Sequence, residues 1–435
     1  VLADHTGEDT YDSPGNGGSG CGKDGEPILL QNGAYTESAV DFHLPGVGVD
    51  FVVERTYVSN SATDGSFQPL FQTQFGVGWR SNLDRRLRFI EYEAGTNKEI
   101  LAVVYTADRE ARFKQATTAG GYTTYDPQDG ASRDRLRKNT STGRFELDTG
   151  NLVYTFYNTQ DATRAGRLYS VKDKVGTGRG LEFSYPTTGE QKYLFSSVTE
   201  TVSGRVHDVE RYDGYGYRGL IKKITVHDTT GTGVIAILEY GYSASLDLVR
   251  VKLTEQGQSS RTWLYTYNAS HELLHVADPA AYTQMCTDGV KLSDGSNIAG
   301  ETFGLGMLNP TQSSGGGALD WSKYALIRNT YLSHRVSQQI WWGEEGDLRV
   351  DVYSYTTDAN GVVTRAVKGT RADGSGTDVR RVTHDLNSRG ESVTETWQFG
   401  SSLSNQKKIE RTFDAQGRQT HEKYYIWTGS AWSCN

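Results

Sequence analysis

Methionine is almost absent from this chain, with 2 residues in 435, and only 36% of the residues are hydrophobic. A helical protein would need more leucine, alanine and methionine than this composition offers. Glycine and tyrosine are abundant instead, with 50 and 26 residues. Tyrosine favours strands and glycine favours tight turns. The composition therefore predicts a mostly β protein built from many short strands.

The chain also lacks a long apolar run and an excess of basic charge. No stretch approaches the roughly 18 apolar residues that cross a bilayer as a helix, and no basic start leads into an apolar segment as in a signal peptide. The formal net charge of -8 gives no basic field that would attract nucleic acid or an anionic membrane. We therefore predict no membrane span and no nucleic-acid partner.

The first residue is Val1 rather than a methionine. The chain is therefore either processed or a piece of something longer, and an exported protein that has lost its signal fits both observations. We expect a secreted protein, extracellular or held at the cell surface.

Cysteine is scarce, and its three positions, Cys21, Cys286 and Cys434, lie far apart without CxxC spacing. A zinc site built from cysteines is therefore not expected, and at most one internal disulfide can form. The odd number leaves three alternatives open: free thiols, one internal bridge, or a bond between subunits through Cys21 or Cys434.

The nucleophile motif of serine hydrolases and the phosphate loop of nucleotide-binding enzymes are missing as well. The chain contains no GxSxG elbow and no GxxxxGKS or GxxxxGKT loop. Gly214–Gly219 has the glycine spacing of a dinucleotide loop, but β-type runs flank it and no helix follows, so a turn is the better interpretation. We predict that the protein is not an enzyme and has no catalytic residues, no cofactor and no metal.

Three histidine–aspartate pairs recur along the chain, at 207–208, 227–228 and 384–385. Such pairs can polarise a nucleophile, but their repetition favours a structural position. We expect each aspartate to cap backbone N–H groups in a turn.

The strongest local pattern is a hairpin over Ala39–Tyr57. Apolar and polar residues alternate on both sides of Pro45–Gly48, and a period of two places alternate side chains on one face of a sheet. Further on, glycines flank bulky residues in Phe75–Trp79, as expected where the backbone passes close to a packed aromatic ring. We therefore expect Trp79 in the core.

These residues also carry a resemblance to a known family. Pro27–Gly33, Asp41–Gly46, Arg55–Tyr57 and Phe75–Arg80 follow one another in the order of the opening module of the RHS/YD-repeat family. The resemblance implies an array of tyrosine- and aspartate-rich β-hairpins that winds into a large hollow shell. In that family the shell encloses a variable C-terminal region, often a toxin, which self-cleavage by an aspartyl site releases. This chain shows no recognisable toxin domain and no terminal core, so self-cleavage is assigned to no residue.

From Gly143 onward the sequence becomes repetitive. Leucine-rich elements such as Leu220–Ile224 and Leu248–Val251 alternate with aromatic strand ends such as Leu238–Tyr242 and Trp263–Tyr267. A recurrence every 20 to 30 residues or so is typical of stacked supersecondary units that bury their apolar faces against one another. Phe413–Arg418 is the unit most similar to a YD repeat, because an aromatic residue ends one strand and Asp-x-x-Gly forms the turn.

The predicted fold class is all-β: a repetitive antiparallel hairpin array that winds into a YD-repeat-like shell or an elongated sheet spiral. The patterns and the resemblance together divide the chain into six segments: a flexible arm over 1–24, an RHS-type opening module over 25–90, additional strands over 91–165, YD-like repeats over 166–279, an irregular insertion over 280–322, and further YD-like repeats over 323–435 without an evident cap.

Four tryptophans are candidates for stacking on glycans: Trp341, Trp342, Trp427 and Trp432. Aromatic side chains on strands also pack on their cross-strand neighbours, so lining of the sheet is the alternative.

We expect a non-enzymatic extracellular structural protein, a segment of a β-shell that encloses or displays a cargo or a C-terminal effector. Exposed strand edges, the flexible arm and terminal cysteines suit one alternative, a homopolymeric filament assembled by strand or arm exchange. The candidate tryptophans suit another, a carbohydrate-binding or adhesion module. The expected partners are copies of itself or further YD repeats, a toxin cargo, or a cell-surface glycan.

Overall fold

The computed structural model describes most of the chain between residues 28 and 434. The described residues are 28–59, 74–104, 110–128, 134–175, 178–189, 191–213, 219–311, 318–342, 348–371, 376–400, 403, 405–414, 418–429 and 431–434. The predicted arm over 1–24, Cys21 and most of Gly214–Gly219 lie outside them.

Two sheets make up most of the structure, which is about 56% strand and 5% helix. The short sheet contains four antiparallel strands in sequence order: β1 (Ile28–Leu29), β2 (Ala34–Leu44), β3 (Phe51–Val58) and β4 (Trp79–Ser81). A 3-10 turn over Asn82–Asp84 leads into the second sheet.

The long sheet contains 25 described strands, and each is antiparallel to the next. Its first part is β5 (Arg86–Tyr92), β6 (Glu99–Val104), β7 (Glu110–Ala119), β8 (Tyr122–Pro127), β9 (Arg135–Asn139), β10 (Phe145–Asp148), β11 (Leu152–Phe156), β12 (Leu168–Asp173), β13 (Gly180–Ser184), β14 (Ser197–Glu200), β15 (Val206–Arg211), β16 (Ile221–His227), β17 (Val234–Tyr242), β18 (Leu248–Glu255), β19 (Arg261–Tyr267) and β20 (Leu273–Ala277).

The last part of the long sheet follows residues 278–326, which leave the sheet and which we call the excursion. Strand β20 pairs directly with β23 across that excursion. Within the excursion, β21 (Lys291–Leu292) and β22 (Pro310–Thr311) form a separate two-stranded sheet. The strands of the long sheet that follow are β23 (Ile327–Leu332), β24 (Arg335–Trp342), β25 (Leu348–Thr357), β26 (Val363–Arg371), β27 (Arg380–Leu386), β28 (Ser392–Phe399), β29 (Asn405–Phe413), β30 (Gln419–Trp427) and β31 (Trp432–Cys434).

The long sheet is not closed, but it curls back on itself near its start. The backbone N–H of Leu87 in β5 donates to the carbonyl of Gly166, just before β12, at 2.8 Å. Gly166 has a φ of 62°, and a Cβ at this position would lie 1.8 Å from the Leu87 carbonyl oxygen. Only glycine therefore permits this close approach.

Several hairpin turns of the long sheet share one local design, seen in the turn from Asn268 to Leu273. The side-chain oxygen of Asn268 accepts from the backbone N–H groups of Ser270 and Glu272 at 2.9 and 3.0 Å. His271 takes a φ of 62°, and the pairing register shifts so that Tyr267 faces Leu273. The turn thus ends in a bulge that one left-handed residue makes possible.

The same register shift recurs along the sheet, which confirms the predicted antiparallel hairpin array. It lies at the pairs Phe156–Leu168, Arg211–Ile221, His227–Val234, Tyr242–Leu248, Tyr331–Val336, Thr357–Val363, Leu386–Ser392 and Phe413–Gln419.

Only one of the three histidine–aspartate pairs lies in such a turn. The Asp228 carboxylate accepts from the backbone N–H groups of Thr230 and Gly233, as predicted for a capping aspartate. His207 and His384 instead lie within strands β15 and β27. The prediction of a turn was wrong for both, because a neighbouring aspartate does not distinguish a strand position from a turn position.

The excursion between β20 and β23 contains a helix, α1 (Pro279–Thr287), where the sequence predicted irregular structure. Asp278 caps it by accepting from the Ala281 backbone N–H at 2.8 Å, and Pro279 occupies the first turn. Two 3-10 turns follow, over Ile298–Gly300 and Trp321–Lys323. In the described part of the chain, no helix has the length and apolar character needed to span a membrane.

Candidate functional site: the interface between the two sheets

The short sheet lies against the long sheet, and their facing side chains form the main core. Phe51, Val53, Tyr57 and Trp79 from the short sheet are buried in one cluster with strand residues of the long sheet such as Tyr240. Trp79 is fully buried, as its glycine-flanked position predicts. The interface is therefore the hydrophobic centre of the protein.

A buried ion pair lies at the centre of this interface. Asp41 accepts from Nε of Arg55 at 2.5 Å and from Nη2 at 2.7 Å, a bidentate arrangement, and both side chains are almost fully buried. Burial disfavours the charged guanidinium, but the Asp41 carboxylate outweighs it and raises the pKa of Arg55 above its usual value. Arg55 therefore stays charged inside the core.

The local structure of β2 explains how Asp41 reaches this position. The register shifts between Val40, which faces Glu54, and Phe42, which faces Val53, so Asp41 is the extra residue of a β-bulge. Val40 is 58% exposed and Phe42 is buried. The strict alternation predicted for this strand is therefore wrong across the bulge, because the extra residue turns Asp41 inward.

Two tyrosines of the long sheet complete the polar cluster. The Tyr240 hydroxyl donates to Asp41 at 3.0 Å, and the Tyr265 hydroxyl accepts from Arg55 at 3.3 Å. Burial is the main cause that raises the pKa of both phenols, to about 12 for Tyr265. The hydroxyls therefore remain neutral and link strands β17 and β19 to the short sheet.

Aromatic rings surround the pair. The Arg55 guanidinium lies 4.3 Å from the ring centre of Trp79, a cation–π contact in a dry environment. Trp79 Nε1 donates to the Tyr267 hydroxyl at 2.8 Å. The Tyr57 hydroxyl donates to the carbonyl of His271 at 2.7 Å and accepts from the Leu273 N–H at 3.0 Å. The large polar side chains of the short sheet thus bond to strand β19 and to the turn that joins it to β20.

The β1–β2 turn attaches the short sheet to later repeats. The Val336 N–H donates to the carbonyl of Gly33 at 2.9 Å. A Cβ at Gly390, in the turn between β27 and β28, would lie 2.6 Å from Gln31. The short sheet therefore contacts repeats at least as far along the chain as residue 390. We call the short sheet in this position the plug.

One carboxylate of the plug has an unusual environment. Glu37 accepts a hydrogen bond from the Tyr35 hydroxyl and lies near Arg55. Burial nevertheless raises the pKa of Glu37 from 4.5 to about 7. This group therefore changes its charge near neutral pH.

The chain contains one HExxH pattern, His271–His275, which our sequence reasoning overlooked. Zinc enzymes place this pattern on a helix so that both histidines share a face. Here His271 lies in a turn and bonds to Asp247 at 2.8 Å, whereas His275 lies in β20 and bonds to Thr266 at 2.7 Å. Within the ranges that the structure describes, no group of three or more His, Cys, Asp or Glu side chains is placed to hold a metal ion.

The predicted site residues are dispersed rather than brought together. Cys286 is a half-buried free thiol on α1, and the Cys434 side chain lies outside the described part. Trp341 is half-buried with its ring against the main core, which favours packing over glycan stacking. Trp427 and Trp432 form an edge-to-face pair with ring centres 5.3 Å apart. Nothing is described of the Trp342 side chain.

Sequence reasoning missed the Asp41–Arg55 pair as a site. Both residues belong to the motifs that resemble the RHS/YD-repeat family, but the motifs do not indicate that the two residues pair with each other. The available signal was an acidic residue next to Phe42 in one strand and an arginine close to Val53 in the next, because opposite charges beside core residues of adjacent strands indicate a buried pair.

Comparisons with known proteins identify one sequence family. A family described as a domain of unknown function, DUF6531, matches residues 25–113, which is about a fifth of the chain. This range includes the whole short sheet and strands β5 and β6. No curated protein matches the chain.

Several solved structures are similar over parts of their length. A structure of TcdB2-TccC3-Cdc42 matches with 13% identity and a TM-score of 0.31, over 78% of this chain and 20% of that one. The N-terminal domain of the effector protein SpvB from Salmonella typhimurium matches with 11% identity and a TM-score of 0.25, over 55% of this chain and 98% of that one. A porin-like protein from Bacteroides uniformis matches with 14% identity and a TM-score of 0.21, over 68% and 92%. At these TM-scores the similarity does not establish a shared fold.

Proposed function

We propose that this chain is a non-enzymatic structural protein, a segment of an RHS/YD-repeat-type β-shell that encloses or displays a cargo or a C-terminal effector outside the cell. The observation that carries the proposal is the position of the plug. Its Asp41–Arg55 pair bonds to hydroxyls on strands that lie 199 and 210 residues further along the chain. A module that begins a shell would be held in this way by the wall that winds around it.

The wall itself supports a structural role. Many strands of the long sheet bury apolar side chains in one cluster with the plug, and this core cluster runs from Ile28 to Tyr353. The buried polar side chains at the centre of the interface are paired with one another, so they hold strands together and are not open to a substrate. The sequence-family match to residues 25–113 falls on the same plug.

The experiment that tests this proposal uses the native full-length protein, isolated from its source. Electron microscopy of single particles, combined with limited proteolysis and mass spectrometry of the protected fragments, shows whether one chain forms a closed wall around a protected segment. We expect compact shells with a protected internal fragment. Long homopolymers without a protected fragment would overturn the shell and favour the filament.

The filament is the second candidate, and the last strands favour it. In the described part of the chain, β31 pairs on one side only, with β30. Tyr424 and Ile426 on β30 are 51% and 52% exposed. An uncovered edge beside exposed apolar side chains is a surface on which another strand can add. A strand from the same chain fits the shell, and a strand from another copy fits the filament.

A further inference from the structure

Five arginines converge where the long sheet curls back on itself. Arg80 belongs to β4, Arg86 and Arg88 to β5, Arg167 precedes β12, and Arg211 ends β15. The backbones of Arg86 and Arg167 form an isolated antiparallel bridge. We call these residues the arginine cluster. They come from four separate parts of the sequence, so the fold itself assembles the cluster.

Two carboxylates face the arginine cluster among the residues that the structure describes. Asp84 lies 3.4 Å from Arg167 Nη1 but also accepts from the Gln74 amide at 2.9 Å. Glu110 pairs with Arg88 at a site where both side chains are at least a third exposed. No ion pair or hydrogen bond within the described ranges involves the Arg86 side chain. Among the described residues, five guanidinium groups thus face two carboxylates, and Arg211 also donates to Gln74 and to the carbonyls of Gly219 and Phe195.

Burial makes this excess costly. Arg211 and Asp84 are buried, and Arg80 and Arg86 are half-buried. Burial, reinforced by the neighbouring guanidinium groups, lowers the pKa of Arg86 to about 9 and lowers that of Arg80 as well. The buried Nε of Arg86 lacks a hydrogen-bond partner in the described structure. Like charges that have lost their water destabilise a fold unless an opposite charge joins them.

We propose that the arginine cluster binds an oxyanion that carries phosphate or carboxylate groups. Guanidinium groups present planar pairs of N–H donors that match the oxygens of these anions, and several of them together hold a multivalent anion. The cluster lies beside the plug, at the bridge that fixes β5 to β12, so a bound anion also fastens this closure. The anion comes either from solution or from an acidic segment of polypeptide.

Inorganic phosphate is the first probe. We expect phosphate to raise the Tm of the protein above its value in chloride at equal ionic strength, and phosphorus-31 NMR lines to broaden on binding. Arg86→Gln is expected to weaken the apparent phosphate affinity about tenfold, the effect of losing one charge-assisted contact. Without phosphate this variant is expected to be at least as stable as the unmodified protein, since a repelling charge is gone.

The matched control is Arg365→Gln, because Arg365 is an exposed arginine paired with Asp385. In this control, phosphate is expected to raise the Tm as much as in the unmodified protein. If Arg86→Gln fails to fold, Arg88→Gln provides the same comparison at the exposed side of the cluster.

A hexaglutamate peptide is the second probe and separates the two sources of the anion. If only phosphate raises the Tm, the anion comes from solution, and if only the peptide raises it, the anion is an acidic segment. In either case Arg86→Gln must weaken the rise in Tm. The proposal is overturned if neither probe shifts the Tm, if Arg86→Gln and Arg365→Gln respond equally, or if Arg86→Gln is destabilised in chloride and keeps its phosphate response.

Discussion

The Asp41 carboxylate receives two hydrogen bonds from the Arg55 guanidinium, at 2.5 and 2.7 Å, inside a core in which aromatic rings surround the pair. The two residues lie 14 positions apart on neighbouring strands, and a bulge at Asp41 places them on the same face. Tyr240 and Tyr265 extend the pair to the long sheet. The ion pair is therefore the polar centre that joins the plug to the repeats.

The first prediction concerns this pair. Arg55→Met leaves the Asp41 carboxylate buried without its cation, and we expect a loss of about 3–5 kcal/mol in the free energy of unfolding. Combining it with Asp41→Leu removes both charges, so the double variant is expected to be more stable than Arg55→Met alone. Urea unfolding of both single variants and the double variant measures the difference. Additive losses would show that the two charges do not interact.

Gly166 gives a second prediction, with Gly150 as its control. Both glycines have a positive φ, so alanine costs about 1–2 kcal/mol in backbone strain at either position. A Cβ at Gly166 would also clash with the Leu87 carbonyl, whereas a Cβ at Gly150 meets nothing within 4 Å. We expect Gly166→Ala to lose about 1–3 kcal/mol more than Gly150→Ala. Thermal unfolding of the two variants tests this, and equal losses would contradict the close approach of β5 and β12.

Glu37 gives a prediction of pH dependence. Burial raises the pKa of Glu37 from 4.5 to about 7. As the pH rises, the Glu37 carboxyl therefore loses its proton at a lower pH in the unfolded chain than in the folded protein. Stability attributable to Glu37 is therefore highest below pH 4.5, falls between 4.5 and 7, and stays low above 7. Glu37→Gln is expected to raise the Tm at pH 8 and to change it little at pH 4.5.

The control for Glu37 is Glu182→Gln, because Glu182 is 40% exposed and bonds to Lys172. Its effect on Tm is expected to be small and to lack a rise toward pH 8. Parallel Tm curves for Glu37→Gln and the unmodified protein would show that Glu37 is solvated.

His275 and His271 give opposite pH dependences. Burial, and then Arg328, lowers the pKa of His275 from 6.5 to about 4, so its contribution is complete above pH 6.5 and is lost as the pH falls toward 4. The hydrogen bond to Asp247 is the main cause that raises the pKa of His271 above 6.5, so its contribution is complete below 6.5 and is lost as the pH rises through the folded pKa. His275→Gln is expected to reduce the fall in Tm as the pH is lowered from 6.5 to 4. His271→Gln is expected to reduce the fall in Tm as the pH is raised above 6.5. Tm measurements from pH 4 to 8 separate the two, and the same slope in both variants would contradict the assignment.

The sequence predicted the parts of the fold that depend on short-range patterns. The hairpin over Ala39–Tyr57, the buried Trp79 and the alternation of strands with turns follow from periodicity and glycine positions. The capping role of Asp228 follows from the turn chemistry of aspartate.

Long-range relationships were not predictable in the same way. The bulge that turns Asp41 inward could not be predicted from β2 alone, because its reason lies in the contacts of Asp41 with Arg55 and Tyr240. These contacts join distant parts of the chain. His207 packs face to face with Phe51 of the plug, at a ring distance of 4.0 Å, so its position depends on the plug and not on Asp208. Nor does any local pattern bring the arginine cluster together, because the closure of β5 on β12 assembles it.

Hydrogen exchange measured by mass spectrometry tests the central claim, that the plug is held inside the long sheet by the Asp41–Arg55 cluster. The account predicts that amides of β3 (Phe51–Val58) exchange as slowly as those of β17 and β19, and that Arg55→Met accelerates exchange in all three strands together. If β3 exchanges as fast as the exposed strand β30, or if Arg55→Met changes β3 alone, the plug is not joined to the repeats in this way.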